Sequence, residues 1–558
     1  MVAWAVTESV RRWWPRRRLS RVAAVVGLSA FFGGAAFWAG QTQGGVLAGV
    51  ASVAAAGAAL LVDRRIQAAD RLGQARHARG EVLRSLRPPP LSQETDGVLA
   101  LLEATRSPTR FWSRKPEQEQ IQRWLAQPEG HPVLIVGGPA GIGKTRLALQ
   151  CAEQLAEGWA AGWLAPDTGA HALQMVKACP DRTLVLVDDA DLRPDAAAFL
   201  ESLAEHNESP VVRTILLARN VEGLRAALST ALTDRSRWVG QDGPALLLPA
   251  LGEASDYRRW FEQAVRSFAA ARQVPVPELE TTGQGWEDPH LSPLELQMRA
   301  LSAVLTPGRA GSRWADPRRA PIAEVARVLS DHEAARWERE TQRFHSLFEA
   351  SSSAQREQAV VALALLGAAD TGAAAQLLRR VPELRDVPEG LIRQLCRWVG
   401  HLYPTVPGEL SGVEVEIRPH LLGDWLLVDR LAADQELARA LLADPTPEQR
   451  QRALRMLVRA AEAVPEAVPL LSQLVVSAFP VLLQSAIDLI RATGPGNARL
   501  DAAAAGWVAY DTLPADVIET LDNRLPEWAL PRTRLAVGHL MVDLARPQSN
   551  QPDLAAAL

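Results

Sequence analysis

The run Gly138-Pro139-Ala140-Gly141-Ile142-Gly143-Lys144-Thr145 has the pattern G-x-x-x-x-G-K-T. Glycines at those places let main-chain N–H groups curl around a phosphate with no Cβ in the way. A helix opening at the end of such a loop adds the positive end of its dipole. Lys144 is then expected on the β- and γ-phosphates, and the Thr145 hydroxyl on Mg²⁺. The competing reading is a chance match. Against it, Val133–Val136 is a buried-strand run directly before the loop, and RLALQCAEQLAEG directly after it has the spacing of a helix. Lysine itself is scarce. It occurs only at Lys115, Lys144 and Lys177, so 57 of the 60 cationic side chains are arginine.

A second motif lies 44 residues beyond Lys144, where Thr183-Leu184-Val185-Leu186-Val187 ends in Asp188-Asp189. An apolar run of this length reads as a parallel strand buried on both faces, with the acids at its ligand-binding edge. Asp188 is expected to hold Mg²⁺ and Asp189 to polarise an attacking water. Standing alone, two acids at a strand end would be solvated side chains and nothing more. The run Thr214–Leu217 ends in Ala218-Arg219-Asn220, which places Arg219 on the same edge, where a cation can contact the γ-phosphate.

These residues need a scaffold. Further strands are expected at Ala161–Leu164 and Ala245–Leu248, with helices between. Five strands alternating with helices predict an α/β P-loop core built on a parallel sheet. The strand inserted between the P-loop strand and the acid strand indicates the branch in which those two are not consecutive in sequence. From Pro447 onward the chain reads as helices punctuated by proline and glycine, for example Gln449–Ala463, Pro465–Ser477, Val481–Ala492 and Ala515–Asn523. An irregular repeat scaffold and a plain helical bundle both fit that pattern.

Composition sets the outer limits. At 558 residues and 47% hydrophobic, the chain is long enough for three or four domains and is not disordered. A net charge of −4 argues against a dedicated nucleic-acid binder. Cys151, Cys179 and Cys396 are too few and too scattered for a disulfide framework or a zinc site, which suits a reducing compartment. The predominance of arginine and alanine is what the coding bias of a GC-rich bacterium is expected to give.

The N-terminus predicts a membrane hairpin. Val22–Gly40 and Gly44–Val62 are uncharged stretches of 19 residues, each long enough to cross a bilayer as a helix. Arg11, Arg12, Arg16, Arg17, Arg18 and Arg21 precede the first, Arg64 and Arg65 follow the second, and Gln41-Thr42-Gln43 between them is uncharged. Both ends are therefore expected on the cytoplasmic side of the inner membrane, with the ATPase there too. A cleavable signal peptide fits less well, because Phe37 occupies the −3 position of the available cleavage site. A buried soluble hairpin is the other alternative. Residues 63–87 then read as an amphipathic helix ended by Pro88-Pro89-Pro90, and 91–109 as a linker with a short helix.

Taken in order, these motifs resemble the bacterial STAND-type regulatory ATPases of the AAA+/NACHT-like group. GPAGIGKT, LVLVDD and LLAR carry the resemblance, with Phe111-Trp112-Ser113-Arg114-Lys115-Pro116-Glu117 in the place of F-x-G-R-x-x-E and Leu291-Ser292-Pro293-Leu294 in that of G-x-P-L. Ser113 and Leu291 replace the family's glycines. The resemblance implies a nucleotide-base role for Arg114 and a place near adenine for Pro293. It also implies a helical lid over 253–345, a winged-helix-like region over 346–446 and a repeat-like region over 447–558, following a core at 111–252. His332-Glu333-Ala334-Ala335-Arg336-Trp337 resembles a structural His-Glu-x-x-x-Trp helix. His420 stands where winged-helix lids place a histidine on the nucleotide β-phosphate, although a histidine that simply starts a helix is the stronger reading.

The resulting expectation is a membrane-anchored signalling switch that binds ATP, ADP and Mg²⁺ and hydrolyses ATP slowly. It would close on ADP, self-associate with ATP, and meet an unknown protein trigger through its C-terminal helices, with no nucleic acid involved. An AAA+ motor remodelling proteins at the membrane and a non-hydrolysing ATP-binding adaptor are the rivals.

Overall fold

The computed structural model describes the chain between residues 67 and 470, apart from 87–96, 206–211, 233–242, 280–290, 308–313, 315–319, 345–348, 404–414 and several stretches of one to three residues. The expected hairpin at 22–62 and the expected helices beyond 470 lie outside the described residues. Among the described residues no helix is long and apolar enough to cross a membrane. Every element of the site belongs to one compact unit, Gly80–Leu558.

Six strands form one sheet: β1 Leu83–Arg84, β2 Val133–Gly137, β3 Trp159–Leu164, β4 Arg182–Val187, β5 Val212–Ala218 and β6 Ala245–Leu247. Their order across the sheet is β1-β3-β4-β5-β2-β6. The five from β3 to β6 are parallel, with Val133 opposite Thr214 and Val185 also opposite Thr214 at the start of the central strands. The P-loop strand β2 and the acid strand β4 are thus separated in sequence by β3 and in space by β5, the strand that Arg219 follows. This is the α/β P-loop core expected from the motifs.

Alternation explains why these apolar runs are strands. Val133, Ile135, Val185, Val187 and Leu216 face one side of the sheet, and Leu134, Val136, Leu184, Leu186, Ile215 and Leu217 face the other. Helices α3 Gly169–Lys177, α4 Asp195–Glu205 and α5 Val221–Ala231 cover the first side. Helices α1 Lys115–Ala126 and α2 Lys144–Glu153 cover the second. With both faces covered, the strands need no polar side and read as unbroken hydrophobic runs.

The sheet corrects two expectations. It is mixed, because β1 runs antiparallel at the edge, pairing Leu83 with Leu164 and Arg84 with Trp163. The helix expected over 63–87 is therefore too long, since the helical stretch stops at 82 and the chain turns into β1. The physical cause is the open edge of β3. Val82 accepts from Ala165 N–H, and Leu86 accepts from Trp163 Nε1 at 3.1 Å, so this segment satisfies an edge that a helix would leave bare.

The described residues beyond β6 are helical except for connections. They comprise α6 Ala254–Arg272, α7 Pro293–Leu305, α8 Ile322–Gln342, α9 Ser353–Leu366, α10 Thr371–Leu378, α11 Glu389–Leu402, α12 His420–Ala433, α13 Gln435–Leu442 and α14 Pro447–Ala461. They share one apolar cluster, which also takes in the short helix Val98–Leu102. Phe261, Phe268 and Trp398 are fully buried in it, each worth roughly 1.5–3 kcal/mol or more over exposure. No β-strand occurs among the described residues of 346–446. The three cysteines are all buried and free.

Candidate functional site

The loop after β2 needs its glycines for different reasons. Gly138, Gly141 and Gly143 have φ of 149°, 75° and 99°, where other residues are strained. Gly141 is also crowded, because a Cβ there would lie 2.9 Å from Ser292 Oγ and 3.1 Å from Leu294 Cβ. Gly143 is the N-cap of α2 and brings no side-chain acceptor. The first N–H groups of α2 therefore remain available to an anion. Lys144, the first residue of α2, is buried, and its Nζ donates to the Gly138 carbonyl at 2.6 Å and the Pro139 carbonyl at 3.1 Å.

Thr145 follows on α2 and meets the end of β4. Its hydroxyl donates to Asp188, lying 3.1 Å from Oδ2 and 3.3 Å from Oδ1. The sequence separates these two residues widely, and the parallel sheet brings them together. Asp189 comes next with φ 45° and ψ 44°, a left-handed conformation rare for a residue with a side chain. Its carboxylate is bracketed, with Arg219 Nε 3.9 Å from Oδ1 and His420 Nε2 3.5 Å from Oδ2. Arg219 lies where expected, at the end of β5. His420 is the first residue of α12, so it both starts a helix and faces the site.

A third acid completes the group. Asp191 is 6% exposed, and its Oδ2 accepts from the Arg219 main-chain N–H at 2.9 Å. Its Oδ1 is buried with no hydrogen-bond partner. Arg219 Nη1 in turn donates to the Arg459 carbonyl on α14 at 3.5 Å. The Arg459 guanidinium grips buried Asp424 of α12 with two hydrogen bonds, of 2.7 and 2.6 Å. Asp191, Asp424 and Arg459 escaped the sequence reading. Asp191 left a trace, as the third acid of Asp188-Asp189-Ala190-Asp191, whereas the Asp424–Arg459 pair left none.

The charges sort the three acids. Burial pushes Asp188 up to about 6, helped by Asp189 and opposed by Lys144, Arg418 and the Thr145 hydroxyl. Burial and then Asp189 push Asp191 up to about 6. Burial would also raise Asp189, but His420, Arg219, Arg459 and Lys144 together outweigh it and hold the carboxyl below its ordinary value. Lys144 is lowered by its own burial and then by Arg219. The site is thus arranged so that one acid stays ionised between two that resist ionisation.

The residues fit a magnesium ion. A hydroxyl and a carboxylate already in contact are the hard oxygen donors Mg²⁺ takes from a protein, and burial with the neighbouring Asp189 raises Asp188 although Lys144 and Arg418 oppose the shift. Arg114 is 3% exposed and donates from Nη2 to the Ile142 carbonyl at 3.1 Å and from Nη1 to Glu117 at 3.0 Å. Pro293 is the first residue of α7, whose N-cap Ser292 forms a full capping box with Glu295. This helix end touches the loop directly, with Leu294 N–H donating to the Gly141 carbonyl at 3.2 Å. Ala140 and Ile142 complete the loop, and Ile142 is buried against the sheet.

His332 and Glu333 lie away from this group. Glu333 is buried and accepts from Arg336 at 2.6 Å and from the Tyr403 hydroxyl at 2.7 Å, a structural network across α8 and α11. No cluster of three or more metal-binding side chains occurs among the described residues.

Residues 108–227 match the family model described as Novel STAND NTPase 5, about a fifth of the chain. No curated protein matches the sequence. Similar solved structures include a Walker-type ATPase of Pyrococcus abyssi, at TM-score 0.29 and 12% identity over 58% of this chain and 99% of that one. Domain III of the Thermotoga maritima replication initiation protein DnaA is similar at TM-score 0.27 and 13% identity, over 44% and 98%. The Thermotoga maritima RuvB Holliday junction branch migration motor is similar at TM-score 0.24 and 14% identity, over 49% and 85%. The segment 108–227 is thus similar to P-loop NTPase modules of STAND type.

Proposed function

We propose that this chain is a membrane-anchored, ATP-driven signalling switch that closes on ADP and self-associates when ATP is bound. The observation that carries the reading is the placement of His420. A helix far along the chain reaches back 3.5 Å from Asp189, the acid that stands where the attacking water must be polarised. Arg219 and Arg459 reinforce that contact from β5 and α14. The helical region and the nucleotide chemistry therefore share one carboxylate, which is what a two-state device needs.

In this reading the loop N–H groups and Lys144 hold the β- and γ-phosphates. Thr145 and Asp188 hold Mg²⁺, which when bound neutralises phosphate charge. Asp189 orients water once His420 has withdrawn, and Arg219 registers the γ-phosphate. The Arg-flanked spans 22–40 and 44–62 anchor the module, and the helices from 447 onward meet a protein trigger.

Size in solution tests the proposal. Detergent-solubilised protein should be small with ADP and larger with a slowly hydrolysed ATP analogue. His420→Ala should enlarge the assembled fraction at the same analogue concentration and speed turnover. A stable ring with every nucleotide and fast turnover would favour the motor instead. An unchanged size with both nucleotides, in wild type and variant alike, would sink the switch.

A further inference from the structure

We propose that Arg114 is a positioning residue for the phosphate-binding loop, and that it works in concert with the N-terminus of α7. The inference rests on the nucleotide reading above and specifies how the cradle is held in shape. Two consecutive peptides of the loop are fixed from outside it. The carbonyl of Gly141 accepts from Leu294 N–H at 3.2 Å, and the carbonyl of Ile142 accepts from Arg114 Nη2 at 3.1 Å.

A trans peptide is planar, and its C=O and N–H point in opposite directions. Anchoring the Gly141 carbonyl on α7 therefore turns Ile142 N–H away from α7, and it does lie 3.4 Å from the Pro139 carbonyl within the loop. Anchoring the Ile142 carbonyl on Arg114 likewise turns Gly143 N–H away from Arg114. Anion binding by such a loop depends on successive N–H groups pointing to one side. With positive φ at Gly141 and Gly143, these peptides are free to flip unless something holds them.

Both anchors are themselves fixed. Arg114 is buried, and its other terminal nitrogen is engaged by Glu117 at 3.0 Å, so the fork is held at two points. At 3% exposed, with both terminal nitrogens engaged, this guanidinium has neither donor to spare at those nitrogens nor open surface to offer a base. The α7 anchor is fixed by the Ser292–Glu295 capping box, at 3.2 and 2.8 Å, and by the glycine at 141, where a Cβ would meet Ser292 Oγ at 2.9 Å. Farther along α7, Gln297 Nε2 donates to Thr109 Oγ1 at 3.2 Å, and Arg146 of α2 donates to the Thr109 carbonyl at 2.8 Å. The lid helix, the segment before α1 and the loop's own helix are thus tied together behind the cradle.

Specificity separates this role from a base contact. A cradle holder affects every ligand that carries the diphosphate, whatever its base. ADP, GDP and inorganic pyrophosphate should be titrated by competition against full-length wild type, Arg114→Ala and Arg114→Lys, with melting temperature recorded for each. Arg114→Ala should weaken all three by the same factor, roughly 10-fold or more, as follows from losing a charged hydrogen bond to a buried carbonyl. Arg114→Lys should recover part of that loss, because one donor can still reach Ile142. Should Arg114→Ala melt far below wild type, Ser292→Ala gives the same reading through the other anchor, with a smaller but equally base-independent loss. A loss confined to ADP, or unchanged pyrophosphate affinity in both variants, would overturn the proposal and leave the nucleotide reading standing. Wild-type protein that takes up none of the three would overturn both.

Discussion

Replacing Asp191 with asparagine should stabilise the protein, and the gain should depend on pH. Asp191 is 6% exposed and titrates near about 6 against 3.8 for an ordinary aspartate, chiefly because burial disfavours its charge. Below both values the carboxyl is protonated in folded and unfolded chains alike, and it costs nothing. As pH rises through the interval, the unfolded chain ionises first and draws the equilibrium towards unfolding. Above about pH 6 the folded state carries the full cost, roughly 3 kcal/mol at 1.36 kcal/mol per pKa unit. The same linkage gives roughly 1.5 kcal/mol at pH 5. Asparagine keeps an oxygen for the Arg219 N–H, bonded at 2.9 Å in the parent, and removes only the charge. Melting temperatures of wild type and Asp191→Asn, compared at pH 5 and pH 8 without nucleotide, should differ about twice as much at pH 8. An equal difference at both values would place the effect outside titration. A less stable variant at pH 8 would show that Arg219 and Lys144 more than compensate the buried charge.

Asp189→Asn should keep ATP binding and slow hydrolysis roughly 10²-fold or more, as expected for loss of a positioned base, and single-turnover phosphate release measures it. An unchanged rate would make Asp189 a strand cap only. A reporter inserted between Gln41 and Gln43 should face outside the cell while one placed after Gly97 stays inside, since arginines flank both outer ends of the hairpin. Protection of both sites from external labelling would remove the hairpin.

What was legible in the sequence follows from the range over which each feature is written. GPAGIGKT and LVLVDD are contiguous, because strand, turn and helix start all need neighbouring residues, and the structure brings their parts together as Lys144, Thr145 and Asp188. Strands β2, β4 and β5 were legible because burial on both faces leaves an apolar run. The edge strand β1 was not, since two residues carry no period. Around Asp189, Lys144, Arg219 and His420 were each legible from their motifs, but their meeting on one carboxylate together with Arg459 was not. His420 and Arg459 arrive on α12 and α14, and among so many arginines nothing in the residue type singles out Arg459. The carbonyl anchors on the loop were hidden too, because a motif read along the chain does not say which main-chain carbonyl a buried side chain reaches.

The arrangement around Asp189 bears on rate as well as on shape. A carboxylate held below its ordinary value is a weaker base, and here the lowering comes from His420, Arg219, Arg459 and Lys144 against the opposing effect of burial. Two of those four, His420 and Arg459, belong to α12 and α14. They are tied to each other's helices through the Asp424–Arg459 pair, so α12 and α14 should leave together if either leaves. On the proposed reading, their departure would do two things at once. It would clear the space on Asp189 that a water must occupy, and it would remove two of the groups that hold its carboxyl below the ordinary value. Closure would then need no separate inhibitory element, because the contact that packs the helical region onto the sheet is also the contact that weakens the base. A fast enzyme would be badly served by this geometry, whereas a switch that must stay closed until triggered would be served well.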